Sequence, residues 1–330
     1  VLTLLLLALT LALLAPAGRG KHRALAPVLA VVTLIAFTWW VGGPDRTELE
    51  AAFFDVGQGE AALVVLPGGE RLLVDTGPSW EHGDAGRRIV VPALRTMGVT
   101  AIDYVVISHF HPDHCGGLAS VLQEMRVGEL WTSPFREDEL PAELSAALRR
   151  WAEGGGRLRL LSAGDTWEGR EGARIDVLSP PGAGGERSGS ERSVNDSSLV
   201  LLLRWRETAL LMTGDAGAEP IREVARSLPA AGKNALLKVP HHGGRQGGTE
   251  ELMRACAPVF AVISVGRNSY GHPAPETVAS LRSSARVLRT DRDGAIFVRS
   301  TGEEMSVRTW REMAAGRSWA ERLRWLFEGR

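Results

Sequence analysis

Six consecutive residues, His109-Phe110-His111-Pro112-Asp113-His114, carry four side chains able to bind a metal ion. They follow DYVVIS (103–108), a run apolar enough for a buried strand, so they stand on the loop leaving its end. Alternate positions His109 and His111 can face one ion, while Asp113 and His114 turn toward a second as the chain enters a helix near Gly116-Gly117. Imidazole and carboxylate without thiolate suit divalent ions such as Zn²⁺ or Mn²⁺. Two such cations supply Lewis acidity and a hydroxide at neutral pH, which serves the hydrolysis of phosphodiesters, lactones and thioesters alike.

Other polar residues are less specific. Lys238, Arg245 and Arg267 flank further histidines and can meet phosphates, although solvated surface charge is the simpler reading. Asp55 and Gln58 either hold ligand imidazoles from behind or shape a turn. Cys115 reads as a small buried filler, and with Cys256 the only other cysteine there is no disulfide framework. Asp291 and Asp293 in TDRDG read as hairpin-turn residues.

The elements that must position these groups alternate between strands and helices. AAFFDV, AALVVL and RLLVD, separated by GQGE and PGGE, predict an antiparallel meander. RRIVVPALRTMG, GLASVLQEM and ELPAELSAALRRWAE carry helical spacing, and strands follow at RLRLL, RIDVLS, SLVLLLRW, TALLMTG, ALLKV and PVFAVISVG. Three closing strands fall near 287–290, 295–299 and 304–308, and SPPGAGGERSGSERS (179–193) reads as a mobile loop. The mix favours an α/β protein with two sheets face to face and helices outside, a four-layer αββα sandwich over 46–308. Residues 309–330 read as an amphipathic helix.

Residues 1–45 differ in kind. VLTLLLLALTLALLAPA is uncharged, a basic stretch follows (Arg19, Lys21, Arg23), and Ala24 to Gly43 is uncharged again, with Trp39 and Trp40 near its end. A run of about 20 apolar residues spans a bilayer core, so one or two transmembrane helices are expected. A signal peptide is the alternative, but its charges belong before the apolar run rather than after it. With the basic loop in the cytoplasm, the remaining chain faces outward from the cell membrane. A formal charge of −1 gives no general electrostatic case for nucleic acid or anionic lipid.

The HxHxDH pattern resembles the signature of the metallo-β-lactamase superfamily. Leu73-Val74-Asp75-Thr76-Gly77 is similar to that superfamily's first motif, whose aspartate orients the ligand loop, and Thr213-Gly214-Asp215 to the motif whose aspartate bridges two metals. Asp55-Val56-Gly57-Gln58-Gly59-Glu60, Asn195-Asp196-Ser197-Ser198-Leu199, Lys238-Val239-Pro240-His241-His242-Gly243 and Asn268-Ser269-Tyr270-Gly271-His272-Pro273 occur in that order. Together they resemble the C-terminal hydrolase domain of ComEC-type DNA-internalisation competence proteins, polytopic membrane proteins that import one DNA strand. The family's oligonucleotide-binding fold and most of its membrane channel have no counterpart in this sequence, and the opening Val1 reads as a fragment or an unusual start.

The resemblance implies a two-metal nuclease acting on DNA, with single-stranded DNA, the membrane and other competence components as partners. Where many members have a third-motif histidine, this chain has Asn195-Asp196, so the ion at His109 and His111 needs another nitrogen. His241 is the preferred supplier, with His242 as proton donor to the leaving oxygen; the alternative is the reverse. His272 would complete the second ion's set with Asp113, His114 and Asp215. Asp113 is also counted as catalytic, and Asp55, Gln58, Asp75, Asn195 and Lys238 as supporting or substrate-binding residues. A hydroxide bridging the two ions would attack phosphorus in line. A small-molecule phosphodiesterase, another ester or lactone hydrolase, or a non-catalytic DNA-binding module are the alternatives.

Overall fold

The computed structural model describes residues 47–182, 193–229 and 232–316. The apolar segments of 1–45, most of the Gly/Ser/Arg-rich loop and the chain beyond 316 lie outside these residues. Among the described residues, no helix is long and apolar enough to cross a membrane.

The first sheet starts with β1 (Leu49–Phe53), β2 (Ala62–Val65) and β3 (Arg71–Val74), joined as the expected antiparallel meander. A small hairpin follows, β4 (Ser79–Trp80) with β5 (Gly83–Asp84). β6 (Ala101–Ile107), β7 (Arg126–Thr132) and β8 (Arg157–Leu160) then add in parallel beside β3. The second sheet begins with β9 (Thr166–Glu168), β10 (Arg174–Ser179), β11 (Val200–Trp205) and β12 (Thr208–Met212), all antiparallel. β13 (Asn234–Lys238), β14 (Phe260–Ile263) and β15 (Arg286–Arg289) continue it in parallel. Parallel neighbours need crossover connections, and helices supply them. β16 (Ile296–Ser300) and β17 (Met305–Thr309) return to the first sheet, where β16 pairs with β1.

Period-two burial explains the layering. In β1, Ala51 and Phe53 face a core shared with Leu201, Leu203 and Leu210 of the other sheet, while Ala52 faces outward. The outward side packs on α1 (Val91–Thr96), α2 (Pro112–Cys115), α3 (Leu118–Glu124) and α4 (Ala142–Glu153) through Leu94, Cys115, Val121 and Leu144. Val200, Leu202 and Leu211 on the far face of the second sheet pack on α5 (Ala218–Ser227), α6 (Thr249–Cys256) and α7 (Pro275–Arg282). Helices, sheet, sheet and helices are thus held by three apolar cores.

The hairpin expected at TDRDG is corrected. β15 and β16 belong to different sheets, and the residues between them form a short helix, α8 (Thr290–Asp293). Asp293 accepts from the Arg289 backbone at 2.7 Å and Asp291 pairs with the Arg289 guanidinium at 2.6 Å, so both carboxylates fix a crossover between sheets. α9 (Trp310–Gly316) starts where the C-terminal helix was expected, with Met313 buried and Glu312 2.8 Å from Arg286.

Candidate metal centre

The loops leaving β3, β6, β12, β13 and β14 meet at one edge of the two sheets, and backbone hydrogen bonds tie them to one another. Asp75 donates its N–H to the Val106 carbonyl (2.8 Å), Thr76 to His114 (2.7 Å), Glu60 to Asp113 (3.1 Å) and His241 to Gly214 (3.2 Å). Gly59, at φ +143°, lies so close to the Asp113 carbonyl that a Cβ there would collide with it. Asp75, His241 and His242 have φ of +58°, +50° and +52°, a left-handed conformation costly for side chains of this size. The surrounding bonds hold them there and aim their side chains at the site.

Asp113, His114, Asp215 and His242 bring one donor atom each within 4.8 Å of one another. His114 Nε2 is 3.2 Å from Asp215 Oδ1, and His242 Nε2 is 3.2 Å from Asp113 Oδ2 and 3.4 Å from Asp215 Oδ2. The opposite ring nitrogens are anchored: His114 Nδ1 at 2.7 Å from Asp75 Oδ2, and His242 Nδ1 donating to the Ser264 carbonyl at 2.7 Å. With Nδ1 protonated, each Nε2 offers a lone pair inward. Beside them His109 Nε2 and His111 Nδ1 face each other at 3.1 Å, and His109 Nδ1 stands 3.1 Å from Ser108 Oγ. Asp75 accepts from the Ser108 N–H and hydroxyl, both at 2.8 Å, so one carboxylate clamps the start of the ligand loop and one of its rings.

This donor set fits a divalent cation. His114 Nε2 and Asp215 Oδ1 are buried and face each other at 3.2 Å without an aligned hydrogen bond, which protein interiors avoid unless an ion or water completes them. Burial opposes a charge on His114, but Asp215 and Asp75 outweigh it and raise the ring well above the usual histidine range. The same balance of burial against Asp215 and Asp113 pushes His242 up to about 9. Burial would raise Asp215, yet His114 and His242 hold it well below the usual carboxylate range. His109 is pushed well below its ordinary value by burial and by His114. A His/Asp metal-binding cluster is the arrangement that reconciles these groups.

The neighbouring histidines stand otherwise than expected. His242 is buried among the carboxylates, whereas the His241 side chain is 36% exposed, with Nε2 3.9 Å from Asp215. His272 is not among the four grouped donors; its ring packs 5.2 Å from that of His241 and lines the cavity beside them. Lys238 is fully buried, paired with Glu60 and donating to the Gly214 carbonyl at 3.1 Å, so it cannot meet a phosphate and supports the Asp215 turn instead. Asp55 is exposed and accepts from the Gly57 N–H at 3.4 Å, a turn bond rather than a hold on an imidazole. Arg245 pairs with Glu276 away from the site.

Glu60 and Ser108 are residues that spacing did not single out. Glu60 is fully buried between Lys238 and His114, and only its place in the Gln58-Gly59-Glu60 motif hinted at a role. Above the cluster opens a cavity of about 850 Å³ lined by Gln58, His111, Asn195, His241, Arg267 and His272, among others. Gln58 accepts from the Gly266 N–H at 3.3 Å, and Asn195 Oδ1 is buried without a partner.

Comparison with known proteins finds relatives by sequence. The chain is 30% identical to ComE operon protein 3 of Bacillus subtilis over 77% of its length and 33% of that protein's. It is 32% identical to Recombination protein 2 of Haemophilus influenzae, over 64% of this chain and 24% of the relative. Competence protein ComA of Neisseria gonorrhoeae is 29% identical over 89% of this chain and 38% of the relative. The chain thus spans a minor part of these relatives' length, and the resemblance to ComEC-type proteins drawn from the motifs holds. The family model for the metallo-beta-lactamase superfamily matches residues 54–267, which include every residue of the cluster, and the chain belongs to that superfamily.

Proposed function

We propose that the chain is a metal-dependent phosphodiesterase, a nuclease that degrades DNA at the outer face of the cell membrane during DNA uptake. The carrying observation is Asp215, whose two carboxylate oxygens face His114 and His242 at the floor of an open cavity. Likeness to competence proteins supports DNA as the substrate, and the apolar segments before Gly43 support membrane attachment.

Asp113, His114, Asp215 and His242 would hold one cation, and His109 and His111 with Asp215 a second. Cations there supply Lewis acidity toward phosphoryl oxygens and make a water acidic enough to lose its proton near neutral pH. Asp75 and the Ser264 carbonyl keep His114 and His242 in the tautomer that binds. His242 is thereby occupied, so the proton for the leaving oxygen falls to His241, partly exposed on the cavity wall. His272, its basicity lowered by burial and by His241 and His242, packs against the His241 ring on the same cavity lining.

The test incubates the full chain with single- and double-stranded DNA and Mn²⁺, Zn²⁺ or Mg²⁺ in turn. Cleavage lost in His111→Ala and Asp215→Ala supports the reading. Metal bound with no DNA cleaved sinks it, and directs attention to small phosphodiesters and lactones.

A further inference from the structure

Two large aromatic side chains stand exposed on the walls of the metal cavity. Trp80, on the β4–β5 hairpin, is 45% exposed, and Tyr270, on the loop after β14, is 74% exposed. Rings of this size normally recover burial against the protein, so two left in water at one cavity suggest a ligand that covers them. Both are held in place. The Arg88 guanidinium lies 5.8 Å over the Trp80 ring and is itself fixed by donating to the His82 carbonyl at 2.6 Å. Asn268 pins the Tyr270 loop, accepting from the Tyr270 and His272 N–H groups and donating to the Gly266 and His272 carbonyls. From Tyr270 a row of rings descends through His272 and His241 to the buried His242, with centroids 5.9, 5.2 and 6.4 Å apart in turn.

We propose that Trp80 and Tyr270 are stacking platforms for the nucleobases flanking the scissile phosphodiester of a single-stranded nucleic acid; this rests on the phosphodiesterase reading. Every base offers a π-face, so aromatic platforms grip a strand without reading its sequence. A duplex keeps those faces stacked on one another, which makes an unpaired strand the better ligand. Aromatic rings also attract quaternary ammonium headgroups. Here Arg88 already lies over Trp80 and the exposed Arg267 lines the same cavity, so a cationic ligand meets like charge while a phosphate between bases meets opposite charge.

The experiment measures kcat/KM of the metal-loaded full chain on a short single strand and on its counterpart lacking the bases beside the central phosphodiester. DNA and RNA versions run in parallel, which identifies the source of the strand. The wild type is expected to prefer the base-bearing substrate by roughly tenfold or more, through KM. Trp80→Ala and Tyr270→Ala each lose most of that preference, and Trp80→Phe retains it. Equal kcat/KM on the two substrates by an active wild type, or an undiminished preference in both alanine variants, overturns the stacking role and leaves the phosphodiesterase standing. A wild type that cuts neither strand, visible before any variant is made, removes both.

Discussion

His114 lies between two carboxylates, with Nδ1 2.7 Å from Asp75 Oδ2 and Nε2 3.2 Å from Asp215 Oδ1. One carboxylate orients the ring and the other shares its metal-facing side. Asp75→Asn keeps the left-handed backbone that asparagine tolerates, but sets an amide against three donors that the carboxylate satisfies. Affinity for Zn²⁺ is expected to fall by roughly 10- to 100-fold with the fold intact. Competition with a chromophoric chelator measures it, and an unchanged affinity contradicts the orienting role.

The Lys238–Glu60 pair lies behind the same turn, both side chains fully buried. Burial opposes the Lys238 charge, but Glu60 and Asp215 outweigh it and raise the ammonium above its usual value. Lys238→Met strands Glu60 and should destabilise the domain by about 3–5 kcal/mol. Adding Glu60→Gln should recover much of that in urea denaturation. Equal stability of single and double variants would mean that the pair carries little.

Proton linkage gives a pH signature. His242 rises from 6.5 to about 9 in the metal-free fold, so its contribution to stability is complete below about 6.5 and is lost as pH climbs through 9. A cation must displace that proton, so metal affinity should strengthen over the same interval. Calorimetry in buffers of different ionisation enthalpy should detect proton release on metal uptake, and none at pH 7 argues against a protonated His242.

Burial pushes the Cys115 and Cys256 thiols up to about 12. Neither should react with a thiol-specific disulfide reagent at pH 8 until the protein unfolds. Cys115→Ser, beside the ligand loop, should leave metal binding within about twofold, as expected of a residue without a ligand role. Fast labelling of the native protein contradicts this.

What the sequence discloses depends on how local the cause is. The four donors between His109 and His114 are legible because one loop supplies them, and the β1–β3 meander because Gly-containing turns separate alternating runs. The order of His241 and His242 is not legible. Both sit on a left-handed turn, and which ring points inward depends on Ser264 and Asp113 from distant loops. Lys238 at the end of an apolar run looks like surface charge, since its partner Glu60 comes from the other sheet's meander. TDRDG has the composition of a hairpin turn, yet the strands it joins are claimed by different sheets.

The central claim is that the cluster at the cavity floor is a metal centre, and metal content tests it most directly. The full chain, loaded with Zn²⁺ or Mn²⁺ and dialysed, would be analysed for metal per chain beside His242→Ala and His272→Ala. The expected result is two equivalents in the wild type and in His272→Ala, with a loss in His242→Ala. No metal retained by the wild type would contradict the centre, and a loss in His272→Ala alone would return the ligand role to His272.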